Sequence, residues 1–145
     1  MASRIIVGHG GSSSGERAVA HAKKLENLLG DCEIVLVYVI EWSPFSFQTA
    51  EENEQRHKRR EEEISLAMSR VSKPAVEGLT AEGIQARGLV RHGDVADMLN
   101  AVAVGESADQ IVVARSSENR LVQRMFGSAT ANLAMHADVP VTIIA

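Results

Sequence analysis

Short runs of β-branched apolar residues alternate along this chain with longer segments whose apolar residues recur at helical spacing. The clearest run is EIVLVYVI, residues 33–40, which is apolar on both faces beyond its first residue. Such a run is typical of a strand that is buried on both sides at the centre of a parallel sheet. The same reasoning predicts four further strands, at residues 4–9, 84–90, 109–114 and 139–145.

Helical patterns fill the intervals between these strands. Helices are predicted at residues 15–29, 51–79, 94–105 and 128–137, and Gly30 stands where a helix commonly ends. Strict alternation of strand and helix requires parallel pairing with crossover helices. The sequence therefore predicts an α/β fold, a doubly wound, five-stranded parallel sheet of Rossmann-like type with helices on both faces. Its 145 residues are expected to form a single domain, 1–145.

Composition and charge exclude several classes of protein. The net charge of −4 argues against a broad surface for nucleic acid or for an anionic membrane. Because no apolar run approaches about 18 residues and no signal-peptide pattern opens the chain, a cytoplasmic protein is expected. The single cysteine, Cys32, has no neighbouring Cys or His, so we expect a buried, unreactive thiol.

The loop after the first strand, VGHGGSSSGE, resembles three phosphate or catalytic motifs only in part. Gly10 and Gly15 have P-loop spacing, but Glu16 and Arg17 replace the required Lys and Ser or Thr. The dinucleotide fingerprint lacks its third glycine, because Ser13 stands there. A simpler interpretation is that one of three serines, at 12, 13 or 14, caps the following helix.

A hydrolase and a metal site are two weaker alternatives. Residues 11–15 match the G-x-S-x-G nucleophile elbow, which makes Ser13 a candidate nucleophile with Asp109 and His136 as partners. The five histidines show no paired ligand spacing. His9 and His92 each end a predicted strand, and we expect both to be surface loop residues.

The last predicted strand, from Val139 to Ala145, is apolar and ends the chain. An apolar terminal strand at the edge of a sheet would promote aggregation unless another chain covers it. We therefore expect a homodimer that forms through this strand.

The second half of the chain carries the most specific resemblance to a known family. Ala114, Ser117, Gly127 and Ser128 follow the fourth strand with the spacing of the nucleotide-binding pattern G-x2-G-x9-G-[S/T]. The segment GDVADML, residues 93–99, is similar to the motif G-x-P-A-x-x-I at the end of the third strand. On these motifs, and over essentially its whole length, the chain resembles the universal stress protein family.

This resemblance implies a function and a set of site residues. It implies the adenine nucleotide alpha hydrolase-like fold and a stress-response module that binds an adenine nucleotide, namely ATP with Mg²⁺, ADP or AMP. The residues that match the family's pocket are Gly8, Gly10, Val39, Ala114, Arg115, Ser117, Gly127, Ser128 and Thr130. Three of them depart from the family's pattern, because Gly10 replaces an aspartate and Ala114 and Ser117 replace glycines.

Two other functions stay open at this point. A member of the family without nucleotide would act through protein contacts, for which the aromatic segment 42–47 and the long charged helix are candidate surfaces. A small hydrolase would use Ser13. No catalytic residue for nucleotide chemistry is predicted, and any ATP hydrolysis is expected to be slow, because no P-loop lysine is present.

Overall fold

A computed structural model of the chain describes residues 2–41, 50–115 and 129–145, with only the backbone at residues 50–53. The described elements are β1 Ser3–Gly8, α1 Ser13–Leu29, β2 Cys32–Ile40, α2 Ala50–Ala67, a π-helical turn Met68–Ser72, α3 Lys73–Ala81, β3 Gln85–His92, α4 Val95–Gly105, β4 Gln110–Ala114, α5 Ala129–His136 and β5 Val141–Ile144. The predicted surface loop at 42–47 lies outside the described residues.

The five strands form one parallel sheet in the order β3-β2-β1-β4-β5. The chain moves outward in one direction from β1 to β3, returns to β4 beside β1, and then moves outward in the other direction to β5. The predicted doubly wound α/β fold is therefore confirmed. Strands β3 and β5 form the two edges.

Helices cover both faces of this sheet. On one face, α1 and α3 pack Ala18, Ala22 and Leu79 against alternate residues of β1 and β2. On the other face, α4 and α5 contribute Leu99 and Leu133 to a second buried cluster. Since β1 sends successive side chains to opposite faces, its apolar run Ile5, Ile6 and Val7 supplies both cores, which is why the sequence shows no alternation there.

The predicted helix ends at the first crossover are confirmed. Ser12 is the N-cap of α1, and its Oγ accepts a hydrogen bond of 3.4 Å from the backbone N–H of Gly15. Gly30 follows the helix with φ of +83°, and its N–H donates to the carbonyl of Glu26. The cap satisfies backbone groups that a helix end otherwise leaves unpaired.

The second crossover differs from the single helix predicted at 51–79. Helix α2 continues through a π-helical turn into α3, which ends at Ala81. The turn packs on β3 at Gly88, where a Cβ would lie 3.1 Å from Cβ of Ser72 and 3.7 Å from Sδ of Met68. Ser72 is buried at this contact. A π-turn inserts one residue and rotates the helix faces, which the apolar spacing alone does not reveal.

The single cysteine lies in the core, as the sequence predicts. Cys32 is buried, and burial together with nearby carboxylates raises the pKa of its thiol to about 11, as expected for an unreactive cysteine. Within the described ranges, none of the helices has the length and apolarity needed to cross a bilayer.

Candidate functional site

The carboxyl ends of β1 and β4 form the topological switch point of the sheet. These strands are neighbours, but the helices that follow them lie on opposite faces of the sheet. Helix α1 follows β1 on one face, and α5, the next described helix after β4, lies on the other. Connections that diverge in this way leave a crevice at the strand ends, which is where open α/β sheets bind ligands. The candidate site is therefore built from the residues that end β1 and β4.

Gly8 ends β1 and Gly10 follows it, and the two glycines have different roles at this edge. A Cβ at Gly8 would lie 3.2 Å from Cγ1 of Val113 and 3.4 Å from Cδ1 of Leu99, so the glycine allows close packing of β1 against β4 and α4. Gly10 is exposed, and the nearest atom to a Cβ there would be Cζ of Tyr38 at 4.0 Å. Gly10 therefore has room for a side chain, and it leaves the rim open.

Ala114 and Arg115 complete the other side of the crevice. Ala114 ends β4 and is half-buried, while the Arg115 side chain is exposed. The backbone N–H of Arg115 donates to the carbonyl of Ile144 at 2.8 Å, and the guanidinium of Arg17 donates to the carbonyls of Arg115 and Ala145. Arg17 thus holds the ends of β4 and β5 beneath the N-terminal part of α1.

The other predicted site residues are distributed around this edge. Val39 lies two residues beyond Val37, the partner of Gly8, so it stands about 7 Å past the end of β1. Thr130 lies in the first turn of α5 and is half-buried. Ser117, Gly127 and Ser128 lie outside the described residues.

His9 is the residue of this edge that the sequence analysis placed wrongly. It is 8% exposed rather than a surface loop residue, and its Nδ1 is buried with no hydrogen-bond partner in the described part of the chain. A Cβ at Gly15 would lie only 2.2 Å from this Nδ1, so the imidazole packs directly on the first turn of α1. Burial lowers the pKa of His9, while the Glu16 carboxylate acts in the opposite direction. One sequence signal for this burial is Gly15. Helix capping does not require a glycine in the first turn of a helix, so its presence there indicates that another group packs against the backbone.

The hydrolase triad is not assembled. Ser13 begins α1 at the carboxyl edge of the sheet. Asp109 precedes β4 at the opposite edge, where its Oδ2 accepts a hydrogen bond of 2.8 Å from the backbone N–H of Arg4. Because β1 and β4 are parallel, the length of the sheet separates these two residues.

The histidine prediction is also corrected at the end of β3. His92 is part of the strand, and its Nε2 lies 3.0 Å from a carboxylate oxygen of Glu63 in α2. This pair links the charged helix to the sheet. Across the described ranges, no cluster of three His, Cys, Asp or Glu side chains suits a metal ion.

Comparison with known proteins gives a family and several similar structures. The sequence matches the model of the universal stress protein family over residues 1–145. No curated protein is close enough in sequence to match. The universal stress protein UspA from Lactobacillus plantarum is 17% identical, with a TM-score of 0.74 over 99% of this chain and 97% of that one.

Two further solved structures are described with a nucleotide. A universal stress protein in complex with cAMP is 21% identical, with a TM-score of 0.69 over 99% of this chain and 96% of that one. A family protein from Arabidopsis thaliana with AMP bound is 17% identical, with a TM-score of 0.65 over 98% of this chain and 90% of that one. At these identities the likeness shows a shared fold.

Proposed function

Since the chain belongs to the universal stress protein family, we propose that it is a stress-response binding module that holds an adenine nucleotide at the carboxyl edge between β1 and β4. The observation that carries this proposal is the topological switch point between β1 and β4, where Gly8, Gly10 and Ala114 present backbone and at most a methyl group. Small residues allow a ligand to approach the strand ends closely. Two structures of the same fold are described with cAMP and with AMP, which supports the choice of ligand.

The proposed site combines described residues with three that lie outside them. Backbone groups at Gly8 and Gly10 and the side chain of Val39 border the base, and Thr130 offers a hydroxyl from the first turn of α5. Arg115 supplies positive charge for phosphate. The full proposed set is Gly8, Gly10, Val39, Ala114, Arg115, Ser117, Gly127, Ser128 and Thr130.

Binding, rather than turnover, is the proposed activity. Mg²⁺ enters the proposal only as an ion that accompanies the phosphates of ATP. Any hydrolysis of ATP would be slow, because Glu16 in the first turn of α1 stands where a P-loop motif has lysine.

Position 10 gives the sharpest test of this proposal. Gly10→Asp restores the acid at the place where the family pattern has it, and we expect AMP to bind about tenfold more tightly, because a carboxylate can accept hydrogen bonds from ribose hydroxyls. Gly10→Leu should abolish binding by filling the crevice. Isothermal titration calorimetry with AMP, cAMP, ADP and ATP, with and without Mg²⁺, measures both effects.

A matched control and a clear contrary result complete this test. Gly105→Asp makes the same change at the exposed end of α4, where a Cβ meets nothing within 4 Å, and should leave the dissociation constant unchanged. If no nucleotide binds to either the natural chain or Gly10→Asp, the proposal is wrong. The alternative is then a family member that acts through protein contacts, for which the largely exposed, charged surface of α2 from Glu54 to Glu63 is the candidate.

A homodimer is the second part of the proposal. Strand β5 forms an edge of the sheet, and Ile143 on it is 42% exposed, which is unusual for a large apolar side chain in a strand. A second copy that covers this edge would bury the side chain. We also propose a cytoplasmic location, which fractionation of cells that produce the native chain would test.

A further inference from the structure

A groove of about 660 Å³ separates α1 from the π-helical turn and α3 on their shared face of the sheet. Its volume falls within the range of roughly 300–1,000 Å³ that is typical of sites for small molecules. None of the six described residues proposed for the nucleotide lines it. The groove is therefore a separate feature of the fold.

Contacts at both ends keep the two walls of the groove in place. At the lower end, Nζ of Lys23 in α1 lies 2.8 Å from Oε2 of Glu82, which follows α3. At the upper end, the loop that leads into α1 meets the π-helical turn, because a Cβ at Gly11 would lie 3.1 Å from Cγ2 of Val71. Between these contacts the groove extends for about 10 Å along α1, from Glu16 to Lys23.

The walls between these ends are mainly apolar. Val19 and Ala20 of α1 face Val71, Pro74 and Ala75 across the groove. Gly78 adds open space, since a Cβ there would meet no atom within 4 Å. Such walls favour a ligand with an apolar body.

One negative and one positive side chain remain unpaired in this lining. Lys23 and Glu82 neutralise each other, whereas the carboxylate of Glu16 on one wall and the guanidinium of Arg70 on the other have no salt bridge or hydrogen bond with any described residue. Arg70 belongs to the π-helical turn, which places it on the groove. Opposite charges on opposing walls complement a molecule that carries both an ammonium and a carboxylate.

His9 adds a directional polar group near the upper end. Its buried Nδ1 faces Gly15 without a partner in the described part of the chain, so the neutral ring is best accommodated with its proton on Nε2. His9 also lines the groove. An Nε2–H group there can donate to a carbonyl or carboxylate oxygen of a ligand.

We propose that this groove is a second binding site, for a small zwitterion with an apolar body, of the amino acid or dipeptide class, whose ammonium pairs with Glu16 and whose carboxylate pairs with Arg70. This site is independent of nucleotide binding.

Four forms of one dipeptide test the proposed chemistry. Isothermal titration calorimetry at pH 7.5 would compare Leu-Leu with its N-acetylated form, its C-amidated form and the form blocked at both ends. We expect the free dipeptide to bind at least tenfold more tightly than each singly blocked form, because each block removes one charge-assisted contact. If the four forms bind equally, or Leu-Leu does not bind, the proposal is overturned.

Substitutions then locate the site. Gly78→Leu should fill the groove and weaken Leu-Leu binding at least tenfold, whereas Gly105→Leu, which makes the same change at the end of α4, should not alter it. Arg70→Gln, at an exposed position, should remove the preference for a free carboxylate and preserve the preference for a free ammonium. If neither Gly78→Leu nor Arg70→Gln changes the binding of Leu-Leu, the ligand does not bind in this groove. AMP titrations of the same variants report on the nucleotide site separately, and should be unaffected.

Discussion

At the scale of single residues, the contact between His9 and Gly15 shows how the loop after β1 is fixed. The imidazole lies where a side chain on the first turn of α1 would otherwise stand. Gly15 is therefore required by packing, although glycine is a poor helix former.

Gly15→Ala should destabilise the protein by about 1–3 kcal/mol, because the new methyl group would overlap Nδ1 and approach Cα of His9 at 3.1 Å. Urea unfolding measures this change. Gly78→Ala is the matched control within α3, where open space surrounds the new methyl group, and it should stabilise by about 0.5–1 kcal/mol. A similar gain in stability from both substitutions would contradict the packing role of Gly15.

The buried imidazole also predicts how stability depends on pH. Burial lowers the pKa of His9 in the folded state, so the unfolded chain takes up the proton more readily. The contribution of His9 is therefore complete above about pH 6.5 and decreases as the pH falls below that value. The free energy of unfolding, measured in urea between pH 7.5 and 5.5, should decrease over this range.

His9→Gln should reduce this decrease, because the variant lacks the titrating ring. His57→Gln, at a histidine of α2 that is 74% exposed, should keep the behaviour of the natural chain. The Glu106 carboxyl, whose pKa is lowered mainly by its hydrogen bond to Arg87, loses its contribution only at more acidic pH. An unchanged pH dependence in His9→Gln would show that another group is responsible.

At the scale of elements, an ionic network joins three strands at the amino edge of the sheet. Glu33 of β2 accepts from Nε of Arg4 at 3.0 Å and from Nε of Arg87 at 3.2 Å, so it connects β1 with β3. Glu106, which follows α4, contacts both arginines as well. The hydrogen bonds that Arg87 donates raise the pKa of its guanidinium, those to Glu106 most strongly.

Glu33→Gln should cost roughly 1–3 kcal/mol, because the Glu33 side chain is only 13% exposed and the change removes the charge of one of the two carboxylates that Arg4 and Arg87 share. Glu82→Gln removes the more exposed bridge to Lys23 and should cost at most about 1 kcal/mol. Urea unfolding of the two variants compares them directly. Equal effects would mean that burial does not strengthen the network.

At the scale of the whole molecule, the edge strand β5 determines the prediction about assembly. Ile143→Lys should shift the protein from dimer to the 15.6 kDa monomer, because a charged side chain at an edge opposes pairing with another chain. Light scattering at micromolar concentration measures the mass. Leu28→Lys, at the most exposed large apolar side chain described, should leave the mass unchanged. A monomeric natural chain would refute the proposed dimer.

The fold was largely predictable because its signals are local. The β-branched runs predicted β1, β2 and β4 to within one residue at each end, since a strand buried on both faces must be apolar throughout. Serine and glycine at the ends of α1 marked its limits, since capping depends on residues adjacent in sequence. The ends of β3 and β5 were less exact, because edge strands carry weaker apolar patterns.

By itself, the sequence determined the class of fold, the number of strands and the C-terminal end of α1 at Gly30, and it narrowed the N-cap of α1 to three serines, because each depends on side chains that are close along the chain. Only the tertiary structure decided the strand order, the burial of His9 on Gly15 and the π-helical turn that brings Arg70 to a groove beside α1. These features depend on contacts between residues that are distant in sequence or on a rotation of the helix faces, and apolar spacing records neither. The loop VGHGGSSSGE is thus a helix cap by its sequence, and the meeting point of two candidate sites by its place in the fold.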